Sequence, residues 1–212
     1  WHHLSQASHQ PVDRILETWT GVPGYPVLVA RRTASTVEIT QHPFRYLGTP
    51  PPQLWPVPLT YRIGSTEGRT LLDGARTTLE APAGTPVLLN AGRHGFYRVE
   101  YDAAGYEALA RAWPDLDPVD RWGLLDDLYA LLQAGRIDFA HYRPWVERAW
   151  DTSDHILVVQ LEGQLTALAR LVDYAGPVAA LHQEFLARQR RRLGLDPRAG
   201  EPDNHAAERE PI

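Results

Sequence analysis

Cysteine, methionine and lysine are all missing from this sequence of 212 residues. The lack of cysteine excludes disulfides, thiolate metal ligands and a cysteine nucleophile. All 21 basic residues are arginine, for which we hold two explanations open. One is a GC-rich coding bias, and the other is that modified residues such as selenomethionine and methylated lysine are absent from the written sequence. The missing initiator methionine also leads us to expect a piece of a longer protein.

A basic excess and a long apolar run are missing as well. The net charge is -5 and the isoelectric point is near 6.0, so electrostatic attraction to nucleic acid or to an anionic membrane is not expected. No apolar run approaches the roughly 20 residues that span a bilayer, and no charged and then apolar leader opens the chain. We therefore predict a soluble, cytoplasmic protein with neither nucleic acid nor a membrane span.

The stretch Gly95–Asp102 separates two kinds of pattern. Within it Tyr97, Val99 and Tyr101 recur at the two-residue period of a strand, and we expect them to point inward. The sequence before this stretch is typical of strands, after one short helix over residues 12–19, and the sequence after it is typical of helices. The chain is therefore predicted to combine two architectures.

About seven short strands precede the helices, at a spacing of roughly ten residues that is typical of a β-sandwich. The predicted strands are 27–30, 37–40, 55–63, 70–72, 77–79, 87–90 and 96–101. In the strand 55–63, Pro56 and Pro58 predict that the first half lies at a sheet edge. The face of this strand opposite the two prolines is apolar and carries Trp55, Val57, Leu59, Tyr61 and Ile63.

The helical part consists of successive segments that are predicted to pack as in an α-solenoid. The predicted helices are 103–113, 118–134, 139–150, 155–174 and 177–193. For the second of them we predict an apolar stripe of Trp122, Leu125, Leu128, Tyr129 and Leu132. Asp120, Asp126 and Asp127 are predicted to face away from that stripe or to support the positive N-terminal end of the helix. The fold class is therefore mixed and multidomain, an all-β sandwich followed by a solenoid-like α-helical domain.

The sequence from Asp196 onward is polar, and we expect it to be irregular and to provide no cap for the last helices. A helix pair in a solenoid relies on its successor or on a capping repeat to cover its outer face. We therefore predict self-association of the chain through residues 153–193.

Five segments carry a further signal in their order and spacing. They are Thr18–Thr20, Gly24–Val27, Ile39–Gln41, Trp55–Pro58 and Gly95–Val99. Together they resemble the zinc aminopeptidases of the membrane-alanyl-aminopeptidase family. The later segments Asp120–Arg121, Leu124–Leu132, Leu193–Asp196 and Gly200–Glu201 look like the opening of that family's C-terminal helical domain.

The resemblance implies a parent enzyme that binds zinc and acts on peptides through a catalytic domain upstream of these segments. It implies a terminal helix of that missing domain in residues 1–23 and a β-sandwich domain in 24–102. A partial helical domain then covers 103–195, and a polar tail covers 196–212. The family's His-Glu-x-x-His motif does not occur here, since His182-Gln183-Glu184 has no second histidine at the i+4 position. We therefore predict no catalytic, cofactor-binding or metal-binding residues, and no cofactor in this chain.

The histidines and paired carboxylates were considered as possible sites. His2 and His3 are the one adjacent histidine pair, but neighbouring helix positions point about 100° apart and cannot chelate from one face. Asp126 and Asp127 likewise diverge, so we interpret them as a solvated helix face rather than an acid–base pair. Neither pair is predicted to be catalytic.

Two further groups were considered for binding. Arg188 and Arg190–Arg192 form a basic patch near a helix C-terminus, which either binds an anion or is simply solvated. The aromatic residues Trp55, Tyr61 and Trp122 are interpreted as core rather than as a carbohydrate platform.

Two classes of function remain open from the sequence. The chain is either a non-catalytic portion of a zinc aminopeptidase, serving as spacer and wall of the peptide chamber, or an autonomous protein-interaction scaffold that lacks the metal. A His-Glu-x-x-His motif upstream in the same gene would favour the first class, and its absence would favour the second.

Overall fold

The computed structural model describes residues 2–9, 11–197 and 200–209. The chain divides into two compact units, Trp1–Asp120 and Arg121–Ile212. Across the described part of the chain, none of the helices combines the length and the apolar character needed to cross a membrane.

The first unit is rich in strands and the second is helical. The first contains α1 (His2–Ser8), α2 (Val12–Gly21), β1 (Pro26–Arg32), β2 (Thr36–Pro43), β3 (Val57–Ile63), β4 (Thr66–Leu72), β5 (Arg76–Glu80), β6 (Val87–Leu89), β7 (Arg98–Tyr101) and α3 (Ala103–Ala112). The helix α4 (Pro118–Gln133) begins at the C-terminal end of the first unit. The second unit continues with α5 (Phe139–Ala149), α6 (His155–Leu171), α7 (Gly176–Leu193) and α8 (Asn204–Arg209).

The seven strands form two sheets. The four-stranded sheet has the order β5-β2-β1-β7, in which β1 and β7 are parallel and the other neighbours are antiparallel. The three-stranded sheet has the order β4-β3-β6 and is antiparallel. The strands therefore precede most of the helices along the chain, in the predicted order.

The β3–β4 hairpin explains where one strand prediction went wrong. β4 begins at Thr66 rather than at residue 70, because Ile63 pairs with Thr66 across a two-residue turn in which Gly64 has a φ of 58°. β6 pairs with β3 through Tyr61–Ile63. Its register does not reach Pro58, which has no N–H to donate, so the first half of β3 lies at an edge as predicted.

Side-chain hydrogen bonds join the buried faces of this unit. Tyr97, Val99 and Tyr101 are buried, which confirms their predicted orientation. The Tyr101 hydroxyl accepts a hydrogen bond of 2.9 Å from the backbone N–H of Leu89 in the other sheet. The buried amide of Gln41 donates to the Trp55 carbonyl at 2.8 Å and accepts from the Trp55 N–H at 2.9 Å. These bonds satisfy polar groups that burial would otherwise leave costly.

Two carboxylates of α4 are buried, and for Asp127 the predicted solvent-facing position is wrong. Asp120 and Asp127 have 4% and 3% of their surface exposed. Asp120 can be buried because Arg62 donates to it at 2.6 Å and the N–H of Gly92 donates at 2.8 Å. The fully buried side chains of α4 include Leu125, Leu128 and Leu131, whereas the predicted stripe residues Trp122, Tyr129 and Leu132 are half-buried.

Helix ends in the second unit follow local sequence signals. The Asp154 side chain accepts from the Leu157 N–H at 3.2 Å, and Asp138 accepts from the His141 N–H at 2.8 Å, as N-caps do. Gly135 and Gly194 follow α4 and α7 with φ angles of 66° and 73°. Side-chain caps and glycines with positive φ therefore mark these helix ends.

The C-terminal segment departs from the prediction of an irregular tail. It forms the short helix α8, which contacts α6 and α7. Glu208 of α8 has a fully buried side chain that forms an ion pair with Arg192 and lies 3.0 Å from Nδ1 of His155. Burial alone would raise the pKa of Glu208, but the hydrogen bonds from Arg192 and His155 outweigh it, and the pKa is lowered.

Replacing Val99 by Asp should destabilise the first unit by several kcal/mol, roughly 3–5, because it places a charge without a partner among apolar side chains. The matched control is Thr78→Asp, at an exposed position of the same sheet, which places a second carboxylate opposite Glu38 and should still cost no more than about 1 kcal/mol. Denaturant unfolding measures both. A V99D chain that is as stable as the control would show that Val99 does not face the core.

Replacing Glu208 by Gln should destabilise the folded chain at neutral pH by about 1–3 kcal/mol, since it removes a buried charged acceptor. Because the pKa of Glu208 is lowered on folding, its stabilisation is present above the pKa of an unfolded glutamate and is lost as the pH falls through the folded value. The difference between wild type and E208Q should therefore vanish in acid. Glu147→Gln, at a surface pair with Arg143, is the control and should show a small effect at every pH.

Candidate functional site

An apolar pocket of about 590 Å³ lies within the Trp1–Asp120 unit, between α2, the three-stranded sheet and the segment that precedes β7. We call it the aromatic pocket. It is lined by Ile15, Trp19, Pro58, Thr60, Arg69, His94, Gly95, Phe96 and Tyr97. Its volume falls in the range of roughly 300–1,000 Å³ that is usual for small-ligand sites.

The helix α2 forms one wall of the aromatic pocket. Apolar residues recur along it at helical spacing, and Ile15 and Trp19 lie one turn apart on the side that lines the pocket. The Trp19 indole donates to the Pro56 carbonyl at 2.9 Å, and Arg14 forms an ion pair with Asp73. These two contacts fix the helix against the strands.

The opposite wall is a tight loop that Asn90 holds in place. Its side-chain amide donates to the Gly95 carbonyl at 2.9 Å, and its carbonyl oxygen accepts from the Gly95 N–H at 2.8 Å. Asn90 itself has a φ of 58°, a left-handed conformation that asparagine tolerates better than most residues. The loop is thereby closed on both sides of His94 and presents Phe96 and Tyr97 to the pocket.

Gly95 is required at this point of the loop. A Cβ atom there would lie 2.1 Å from Cε1 of Tyr97, and the Tyr97 side chain is buried and has no room to move aside. The glycine of the Gly-Phe-Tyr segment therefore lets the backbone approach an aromatic ring.

The rim of the aromatic pocket carries positive charge. Arg69 and Thr60 are directly paired across β3 and β4, which puts both side chains on the same face of the sheet. The Thr60 hydroxyl donates to the Ala91 carbonyl at 3.1 Å. None of the described lining residues carries a carboxylate. The arrangement suits binding of an apolar group rather than acid–base or metal chemistry.

A cluster of four aromatic rings continues from the pocket over the surface. Tyr25 contacts Phe96 and Phe44 with ring centroids at 4.8 and 5.4 Å, and Phe44 contacts Tyr46 at 5.1 Å. Phe96 is 70% exposed. Partial burial raises the pKa of Tyr25 against the opposing effect of a hydrogen bond with Arg98.

The histidines considered from the sequence do not come together. His2 is exposed, with its Nε2 3.0 Å from Nε2 of Gln6, and its ring centroid is 6.1 Å from that of His3. His182 is buried beside the Thr166 hydroxyl at 3.2 Å, and burial lowers its pKa. Among the residues that the structure describes, no three histidine, cysteine or carboxylate side chains are grouped as metal ligands. The described residues therefore do not fit a zinc ion.

The Asp126–Asp127 pair is divided between two environments. Asp127 is buried, so its interpretation as part of a solvated face is wrong, whereas Asp126 is half-exposed. Asp126 lines an open groove of about 520 Å³ between α4 and α6, together with Trp122, Ile156 and Val159. We call this the α4–α6 groove. Trp122, which lines this groove, is half-buried, whereas Trp55 is buried.

The basic patch on α7 is largely paired with carboxylates. Arg188 lies 2.7 Å from Asp151 and from Glu184, and its guanidinium is 3.9 Å from the ring centroid of Trp150. Arg191 contacts Glu184 at 3.3 Å, and Arg192 pairs with Glu208. The guanidinium groups of these three arginines are therefore not a concentrated anion site.

The sequence interpretation did not single out Arg69 or His94. Neither lies in a recognisable motif, and both depend on the register between β3 and β4 or on the Asn90 loop. A correct prediction of the hairpin register would have placed Arg69 opposite Thr60. The Gly64-Ser65 turn therefore contained part of the information needed to find Arg69.

Comparison with known proteins gives a family for the chain. A family model described as the ERAP1-like C-terminal domain matches residues 86–209, which is more than half of the chain.

Curated relatives agree with this match. A Tricorn protease-interacting factor F2 of Thermoplasma acidophilum is 33% identical over 96% of this chain and 25% of its own length. An aminopeptidase N of Lactobacillus delbrueckii subsp. lactis is 30% identical over 96% of this chain and 25% of its own length. A leucyl aminopeptidase of Saccharolobus solfataricus is 28% identical over 79% of this chain and 21% of its own length. The chain spans about a quarter or less of the length of these relatives, and it belongs to the M1 aminopeptidases through their ERAP1-like C-terminal domain.

Proposed function

We propose that this chain is a non-catalytic portion of a zinc-dependent aminopeptidase, a metallopeptidase that releases N-terminal residues from peptides. Its role there is that of a structural spacer and of one wall of the peptide chamber. The observation that carries the proposal is that the chain aligns to about a quarter of the length of relatives that are named as aminopeptidases. The lack of a His-Glu-x-x-His motif in the sequence agrees with it.

The proposal includes the domain assignment made from the sequence. Residues 1–23 are the terminal helix of the catalytic domain, residues 24–102 a β-sandwich, residues 103–195 a partial solenoid-like domain and residues 196–212 a polar tail. The bond from Leu89 of β6 to Tyr101 of β7, and the bond of Gln41 on β2 to Trp55 just before β3, support the sandwich. The contacts of α6 with α7 support successive packing of helices.

Zinc is proposed for the parent enzyme and not for this chain. Bound in a catalytic domain, the metal supplies a water of lowered pKa for hydrolysis. Because the described residues do not fit a zinc site, no step of that hydrolysis is assigned to them. A cytoplasmic location likewise stays a prediction from the sequence.

An autonomous protein-interaction scaffold is the second candidate function. The observation that favours it is the apolar surface in the α4–α6 groove, where Ile156 and Val159 are each 50% exposed. α8 covers part of α6 and α7, but these two side chains stay accessible to water. Apolar surface of this kind tends to associate, because its removal from water is worth roughly 25 cal/mol per Å².

We expect the purified chain to bind no stoichiometric zinc and to hydrolyse no aminoacyl anilide. Metal analysis and a chromogenic assay measure the two properties. Zinc at one equivalent, together with turnover that a chelator abolishes, would contradict the proposed non-catalytic role. A full-length relative assayed in parallel shows that the assay detects the activity.

We also expect the isolated chain to self-associate through residues 153–193. In light scattering the double variant Ile156→Glu, Val159→Glu should shift the average mass towards that of the monomer, because charged side chains oppose burial of the groove. Leu47→Glu replaces a leucine that is 86% exposed in the other unit and serves as the matched control. A wild-type chain that stays monomeric at its highest soluble concentration would rule the association out.

A further inference from the structure

We propose that the aromatic pocket binds a carboxylate that carries an apolar or aromatic group. This inference goes beyond the proposed function, because it assigns a ligand to a pocket that the role of spacer and chamber wall does not require. It rests on the shape of the pocket, on the nature of its walls and on the charge at its rim.

The walls of the pocket favour an apolar ligand. Trp19 and Ile15 of α2, Phe96 and Tyr97 of the loop before β7, and Pro58 of β3 all line it. Aromatic and aliphatic side chains of this kind can hold a ring or an alkyl chain and remove it from water. Both walls are anchored, α2 by the Trp19–Pro56 hydrogen bond and the loop by Asn90, so the space does not depend on the ligand.

The charge at the rim favours an acid. Arg69 is exposed beside the pocket, and within the described part of the chain its guanidinium has no ion-pair partner. His94 adds a ring nitrogen on the loop side of the same rim. Glu67, two residues earlier on β4, does not line this pocket but lines an adjoining cavity together with Arg69 and His94, so a ligand carboxylate would share these groups with it. A carboxylate attached to an apolar group would therefore place its charge at Arg69 while its body fills the pocket.

Such a carboxylate has two sources, which share the chemistry that the pocket recognises. One is a free small acid, and the other is the C-terminal residue of a peptide. The first probe is 3-phenylpropionate, and the second is the peptide Ala-Ala-Ala-Phe with a free C-terminus. Each has an uncharged partner, 3-phenylpropanamide and the C-terminally amidated peptide.

Isothermal titration of the full chain is the primary measurement. We expect at least one acid to bind, and to bind roughly two- to fivefold more tightly than its amide, since one charge-assisted contact is lost at an exposed site. Binding of both acids identifies the carboxylate alone as the requirement, whereas binding of the peptide alone identifies a peptide C-terminus as the ligand. Equal affinity for acid and amide, or no binding of any probe at millimolar concentration, would overturn the proposal.

Two arginine variants locate the charge. Arg69→Gln should weaken binding of the acid roughly two- to fivefold and leave binding of the amide unchanged. Arg76→Gln is the matched control, because Arg76 is an exposed arginine on β5 of the other sheet and should have no effect. Equal weakening by both variants would mean that only the general charge of the chain matters, and would overturn the assignment to Arg69.

A site-specific readout places the ligand in the pocket. The indole N–H resonance of Trp19 should shift on titration with the acid, while the resonance of the buried Trp55 should shift less. Ile15→Trp fills part of the pocket and should abolish binding in a chain whose circular dichroism and melting temperature confirm that it is folded. If that variant does not fold, Arg69→Gln together with the Trp19 resonance still tests the site. An unchanged Trp19 resonance in a chain that binds the acid would place the ligand elsewhere.

Discussion

The side-chain amide of Asn90 is the contact on which the strand-rich unit depends most directly. It donates to and accepts from Gly95 and so closes the loop between β6 and β7. A buried amide that loses both bonds leaves its partners unsatisfied, at a cost of about 1–3 kcal/mol for each. Because β7 follows this loop at once, the position of the loop also sets where the parallel pairing with β1 begins. One asparagine in a left-handed conformation therefore shapes both the sheet and the aromatic pocket.

The alternation of strands and the periodicity of helices were strong enough to predict from the sequence. Most element positions agree within a few residues, because the two-residue and 3.6-residue periods are local properties. The register between paired strands was harder to predict. The early start of β4 at Thr66 depends on pairing across a turn, which a search for apolar alternation does not see. The buried carboxylates of α4 were missed for a related reason, since the partners of Asp120 lie at Arg62 and Gly92, far away along the chain.

The candidate site was less accessible to sequence reasoning than the fold. Its walls come from α2, β3 and the loop before β7, and those segments meet only after the sheets have formed. The C-terminal segment shows the same limit. Its composition is polar, yet Glu208 is buried, because its charge is matched by Arg192 and His155 from two other helices. Polar composition predicts exposure on average. That prediction fails where distant segments supply hydrogen-bonding or charged partners for a polar side chain.

The parallel pairing of β1 with β7 has a consequence for the order in which the chain can assemble. The bond from the Arg32 N–H to the Asp102 carboxylate spans 70 residues, and the strand pair beside it has a similar span. On the ribosome the β1–β2 hairpin emerges early, whereas the other edge of β1 has no partner until β7 has left the exit tunnel. An open strand edge of this kind is a template for wrong pairing with other chains. Synthesis thus passes through an interval in which the four-stranded sheet is one strand short, and the arrival of residues 98–101 ends it.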